Sequence, residues 1–125
     1  MQLHEYQAKE ILNNSEVPIP DGKVAKSGKE AQEIAFSLGG NCVVKAQVHA
    51  GGRGKAGGIK LANNPDEASE HADNMIGSSL KTFQSGDTEF PINEVYIEKA
   101  SSILKEYYLA AVSYTHLTLP TIYSV

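Results

Sequence analysis

Between Lys45 and Gly58 the chain reads Lys-Ala-Gln-Val-His-Ala-Gly-Gly-Arg-Gly-Lys-Ala-Gly-Gly, with five glycines in the last eight residues. Glycine lets the backbone approach a ligand closely and turn successive N–H groups towards it. Arg53 and Lys55 add positive charge to the loop, and Lys45 precedes it. Backbone donors together with cations suit a polyphosphate. Three templates for such a loop can be compared. A Walker loop needs a glycine where this chain has His49, and a Ser or Thr where it has Ala56, so it fails at both ends. A dinucleotide fingerprint is literally present at Gly52, Gly54 and Gly57, but it should open a helix, whereas Ile59-Lys60-Leu61-Ala62 is strand-like. A strand–loop–strand flap over phosphates, with a lysine from the strand before it, agrees with both flanks. An ordinary glycine-rich hairpin and an RGG-like nucleic-acid contact stay open beside it.

Other residues capable of chemistry are scattered. Cys42, the one cysteine, lies in a strand-like run and reads as a small buried residue; one cysteine excludes an internal disulfide framework and a CxxC site. His49 adjoins the loop and could contact a ligand. His4 and His71 read as surface positions on helices. Asp66, Glu67 and Glu70 read as a solvated helix face. Glu98 ends one strand and Glu106 begins the next. Each is either a surface carboxylate or an acceptor for a ribose or an adenine amine.

The elements that position these residues follow from local signals. A helix is expected over 4–13, with Leu3, Ala8, Ile11 and Leu12 as a partial apolar stripe. Val17-Pro18-Ile19-Pro20 must be extended, since proline disfavours the α region for the residue before it, and Asp21-Gly22 reads as a turn. Ser27-Gly28-Lys29-Glu30 forms a capping box ahead of Ala31, Ile34, Ala35 and Leu38, and Gly39-Gly40 closes that helix. A strand over 42–48, the glycine loop, and a strand over 59–62 come next. Asn64 caps a third helix with Pro65 in its first position. Strands are expected over 92–99 and 105–112. This order gives a mixed α and β class.

The 125 residues amount to about one domain, 41% hydrophobic and 21% charged, with a net charge of −4. That balance excludes a coiled coil, a collagen and a charge-dominated disordered tail. It provides no overall basic field to recruit nucleic acid. The opening Met1-Gln2-Leu3-His4-Glu5 has no signal-peptide pattern, so an intracellular compartment is the expectation. From Tyr107 to Val125 there is no charged residue. Ser113, Thr115, His116, Thr118, Pro120 and Thr121 interrupt that run too often for a membrane span.

The segments LHEYQAKEIL, VPIPDG, VVKAQVHAGGRGKAGGIKL and VYIEKASSILKEYYLAAV resemble the N-terminal part of the β subunit of succinate–CoA ligases, within the ATP-grasp enzymes. The resemblance covers residues 1–111. It implies an α+β fold, the N-terminal subdomain of an ATP-grasp, incomplete at this length. It implies roles by position: Lys45 on the nucleotide phosphates, Gly52-Arg53-Gly54 as the loop over them, Glu98 and the backbone near Ser101 at the adenine hinge, and Glu106 as a further nucleotide-site carboxylate. It implies the reversible reaction of succinate, CoA and ATP to succinyl-CoA, ADP and phosphate, an acid–thiol ligation, with the fragment itself inactive. The phosphohistidine of that reaction belongs to a partner α subunit, so no catalytic residue is expected here. The family's magnesium ligands, an Asn and an Asp, lie in the other half of the grasp, so none is expected in this chain. GTP in place of ATP and malate in place of succinate remain open. The implied compartment is bacterial cytoplasm or mitochondrial matrix, with no membrane and no nucleic-acid partner. A non-enzymatic glycine-loop binding module is the alternative from another class.

The pattern breaks after Val112. The tail VSYTHLTLPTIYSV resembles one reading frame of the transposase adapter used in short-read sequencing libraries, followed by a barcode. Residues 112–125 are therefore expected to be adapter read-through rather than a domain, with no function for His116.

Overall fold

The computed structural model describes residues 2–114 and 117–124, and side-chain surroundings as far as residue 110; His116 and Val125 lie outside the described residues. In chain order the elements are α1 (Glu5–Asn14), β1 (Gly22–Ala25), α2 (Gly28–Ser37), β2 (Cys42–Ala46), β3 (Ile59–Ala62), α3 (Pro65–Met75), β4 (Ser79–Leu80), β5 (Phe90–Pro91), β6 (Val95–Lys99), β7 (Tyr107–Tyr114) and β8 (Leu117–Ser124). Four strands form one sheet in the order β1-β6-β2-β3, antiparallel throughout. β4 pairs with β5, and β7 with β8, as separate two-stranded units.

The helices start where the sequence caps them. Ser27 Oγ accepts the Glu30 N–H at 3.1 Å, and Asn64 Oδ1 accepts that of Glu67 at 2.8 Å. The reciprocal bond of a capping box falls one residue early in both helices. Glu30 accepts the N–H of Lys26, and Glu67 that of Asn63. Each carboxylate still satisfies a backbone donor where its helix begins.

One face of the sheet packs on α2 and α3. Cys42, Val44 and Ala46 of β2 and Val95 and Ile97 of β6 meet Ala31 and Ala35 of α2 and Ala68, Ala72 and Met75 of α3, all buried. Alanines allow the helices to lie close. At Gly28 the two helices touch through a hydrogen bond from its N–H to Asp73 Oδ1 at 3.0 Å, where a Cβ would collide with the carboxylate.

Strand alternation sends the intervening residues to the opposite face. There the register sets Lys45 beside Tyr96 and Val43 beside Glu98. α1 lies against this face, and it does so with its polar side. None of its residues is buried, and Leu3, Ile11 and Leu12 are exposed. Of the partial apolar stripe, Leu3, Ile11 and Leu12 stay exposed and Ala8 is half-buried, while the sheet face that receives α1 carries charges.

Other boundaries also differ from the sequence reading. Asp21-Gly22 reads as a turn, yet Gly22 begins β1, because Gly22–Ala25 finds β6 as a ladder partner. The strand expected over 42–48 ends at Ala46, although the Gln47 N–H still bonds Glu94 O at the next position of the β2–β6 register. The strand expected over 92–99 begins at Val95.

Candidate nucleotide-phosphate site

On the α1 face of the sheet, three cations and two carboxylates converge. Lys45 Nζ donates to Glu98 Oε1 at 2.9 Å and to Glu5 Oε2 at 3.2 Å. Lys9, one turn after Glu5 on α1, pairs with the other oxygen of Glu98. Arg53 reaches back from the glycine loop, donating to Glu5 Oε1 at 3.2 Å and to Ala46 O at 2.8 Å. Gln47, buried at the end of β2, accepts the N–H of Tyr6 at 3.0 Å and donates to Lys45 O at 3.2 Å. Strand alternation aims Lys45 and Glu98 at the same side, and helical spacing of four puts Glu5 and Lys9 on one face above them.

The charges shift one another. Burial alone would raise the Glu5 carboxyl, but its bonds to Arg53 and Lys45 outweigh that and hold it below the ordinary carboxylate range. Lys9 is pushed down to about 8, first by burial and then by the Lys45 charge, even though it faces Glu98. His4 is lowered by burial and by His49, whose ring stacks on it at 3.9 Å between centroids, while Glu94 opposes the shift. Cys42 lies on the core face and burial raises its thiol, as suits an inert packing residue.

The glycine loop closes beside this cluster. Gly58 N–H bonds to Arg53 O at 2.7 Å and Ala46 N–H to Gly58 O at 2.7 Å, so the loop returns tightly to the sheet. Gly52 takes a φ of +83°, open to glycine at little cost, and a Cβ there would meet the Phe83 ring. At Gly54 a Cβ would meet nothing closer than Ile59 at 4.0 Å. The packing around Gly54 therefore leaves room for a side chain. Among the described residues, the N–H groups from Gly51 to Lys55 make no hydrogen bond with the protein. An open cleft of about 340 Å³ lies beside the loop, between Leu3, Glu5, His49, Gly51 and Arg53.

Of the residues singled out in the sequence, Lys45, Arg53 and Glu98 come together, with Gly52 and Gly54 on the adjoining loop. Ser101 and Glu106 are exposed on the segment before β7 and take no part in the cluster's hydrogen bonds. His49 stacks on His4 at the rim of the cleft. Glu5, Lys9 and Gln47 belong to the cluster although sequence reasoning does not single them out. The i, i+4 pair of opposite charges is the available sign for the first two, and the strand period linking Lys45 to Gln47 for the third. Among the described residues no group of three or more His, Cys, Asp or Glu is arranged to hold a metal ion, and no helix is long and apolar enough to cross a membrane. The assembly fits an anion carrying several oxygens, with unbonded N–H groups along one side and two cations at its root.

Comparison with known proteins gives the site a setting. Residues 2–122 match the family described as "ATP-grasp domain". The chain is 53% identical over 113 residues to the protein named succinate–CoA ligase [ADP-forming] subunit beta of a Nitratiruptor species, covering 90% of this chain and 29% of that protein. It is 55% identical over 111 residues to the protein of the same name from Aquifex aeolicus, covering 88% and 29%. With its counterpart from Wolbachia sp. subsp. Brugia malayi it shares 50% over 121 residues, covering 96% and 31%. The chain thus spans less than a third of the length of these curated relatives.

Proposed function

The chain belongs to the ATP-grasp family, and from that premise we propose that it supplies the phosphate-contacting part of a nucleotide site in the β subunit of a succinate–CoA ligase. The observation that carries this reading is the convergence of Lys45 and Arg53 beside a loop whose N–H groups from Gly51 to Lys55 are unbonded. Lys45 and Arg53 would hold phosphate oxygens by charge, and the backbone at Gly52 and Gly54 would donate to them. Glu98, Ser101 and Glu106 would serve the adenine and ribose end, a role that rests on resemblance alone. A bound nucleotide supplies the phosphoryl group that such ligases exchange; the part of this chain is to bind and orient it.

The reaction we infer for the whole protein is succinate, CoA and ATP to succinyl-CoA, ADP and phosphate, with an α subunit as partner and a bacterial cytoplasm or mitochondrial matrix as compartment. The support is the shared name of relatives about half identical to this chain. A GTP-using form and a malate ligase are variants of the same proposal. We further infer that residues 112–125 are adapter read-through, on the residues of the tail themselves. The family match, which runs to residue 122, is the finding that this inference has to survive. Reading the coding DNA decides it: the adapter sequence at the 3′ end supports the inference, and genomic sequence running on through the final codon refutes it.

Calorimetric titration with magnesium–ATP tests the site. Saturable binding, lost in Lys45→Ala, is the expected result. Binding that survives Lys45→Ala, or a preference for single-stranded RNA over ATP, would refute it and favour a glycine-loop module of another kind.

A further inference from the structure

Glu5 sets one carboxylate oxygen against each of the two cations assigned to phosphate: Oε1 at 3.2 Å from Arg53 and Oε2 at 3.2 Å from Lys45. That is the bridging arrangement a phosphate group would itself adopt. We propose that Glu5 is an internal counter-anion, seated between Lys45 and Arg53 until a polyphosphate replaces it, and that it thereby sets the affinity of the site. The inference rests on the reading of Lys45 and Arg53 as phosphate ligands and goes beyond it, since Glu5 has no place in that reading.

Three features favour exchange over permanent pairing. First, both cations have an anchor that does not depend on Glu5. Lys45 is held by Glu98 at 2.9 Å and Arg53 by Ala46 O at 2.8 Å, so the pair keeps its spacing when Glu5 departs. Second, Glu5 itself is lightly held otherwise, with Gln47 Nε2 at 3.4 Å as its remaining side-chain partner. Third, α1 buries no residue, so the helix that carries Glu5 is fixed to the sheet by polar contacts and can shift without opening a core. Glu5 also lines the open cleft beside the loop, where an incoming anion would meet it. Charge points the same way. With Lys9, Lys45 and Arg53 against Glu5 and Glu98, the cluster carries a small positive excess, and an anion that displaces Glu5 meets the full charge of two cations. The bonds from Arg53 and Lys45 hold the Glu5 carboxyl below its ordinary range against the opposing effect of burial.

The test uses the full chain and sodium tripolyphosphate, titrated calorimetrically into wild type, Glu5→Gln and Lys45→Ala. Glu5→Gln should bind about tenfold more tightly, the equivalent of one charge-assisted hydrogen bond no longer competed for, and Lys45→Ala should not bind. Equal or weaker binding by Glu5→Gln, with Lys45→Ala still inactive, overturns the counter-anion role and leaves the phosphate site standing. Undiminished binding by Lys45→Ala overturns the site reading, and the inference with it. Failure of both wild type and Glu5→Gln to bind overturns both. If Glu5→Gln does not fold, the Glu5 carboxyl is followed by carbon NMR in wild type across pH. Its titration should move up towards the ordinary carboxylate range when tripolyphosphate is added. An unmoved titration with ligand bound shows Glu5 still paired and refutes the proposal.

Discussion

Glu98→Gln should be among the most damaging single changes on the α1 face of the sheet. Glu98 is 7% exposed and its two oxygens face different cations, Lys9 and Lys45. Glutamine keeps the shape and removes the charge. Lys45 retains Glu5, but Lys9 loses its ion-pair partner and keeps beside Lys45 the longer-range attraction of Glu5 and the Tyr96 ring, 5.6 Å away. Removing one member of a buried pair costs about 3–5 kcal/mol, because the other charge stays desolvated and uncompensated. Since Lys45 keeps a partner, the lower end applies: about 3 kcal/mol at pH 7, or a drop in Tm on the order of 10 °C. The penalty should shrink towards pH 9, because Lys9, already titrating at about 8, can shed its proton and cease to be an unpaired cation. Urea denaturation of wild type, Glu98→Gln and the exposed control Glu106→Gln at pH 7 and pH 9 measures this. Glu106→Gln should stay within about 0.5 kcal/mol of wild type. A Glu98→Gln loss no larger than that of Glu106→Gln, or one independent of pH, would refute the picture of a desolvated charge cluster.

Glu5 links the cluster to acid stability. Its folded-state pKa lies below the unfolded value, so its contribution is present above the unfolded value and disappears as pH falls through the folded one; wild type should exceed Glu5→Gln in stability at pH 7, and the two should converge on acidification in parallel melts. Lys9 carries the opposite sign on the alkaline side. Between about 8 and its ordinary value the unfolded chain holds a proton that the folded chain has released, so its contribution rises with pH, and NMR should find one lysine amine titrating well below the others. The two loop glycines should separate fold from binding. Gly52→Ala forces a side chain into a φ of +83° against Phe83 and should cost about 1–2 kcal/mol in denaturation. Gly54→Ala should leave stability within about 0.5 kcal/mol while weakening magnesium–ATP binding, and unchanged affinity would show that no ligand approaches there.

Much of this molecule is written locally. Ser27 and Asn64 mark the starts of α2 and α3 because a side-chain oxygen two or three residues before an unpaired N–H can satisfy it whatever surrounds the helix. The glycines between β2 and β3 announce a loop with free backbone donors, and Lys45 and Arg53 declare its charge. Those features involve neighbours in sequence, and residue type alone determines them. β1 is not legible, because Gly-Lys-Val-Ala becomes a strand only by pairing with β6, far along the chain. The docking of α1 is not legible either. Ile11 and Leu12 of its partial apolar stripe stay exposed while Glu5 and Lys9 meet the sheet, because alternation along β2 and β6 commits Lys45 and Glu98 to the surface that receives it. Glu5 stands 40 residues from Lys45 and 48 from Arg53. The sequence suggests two cations suited to an anion; only the tertiary structure shows that the chain sets a carboxylate of its own against them, since Coulomb attraction acts through space and the distance along the chain says nothing of it.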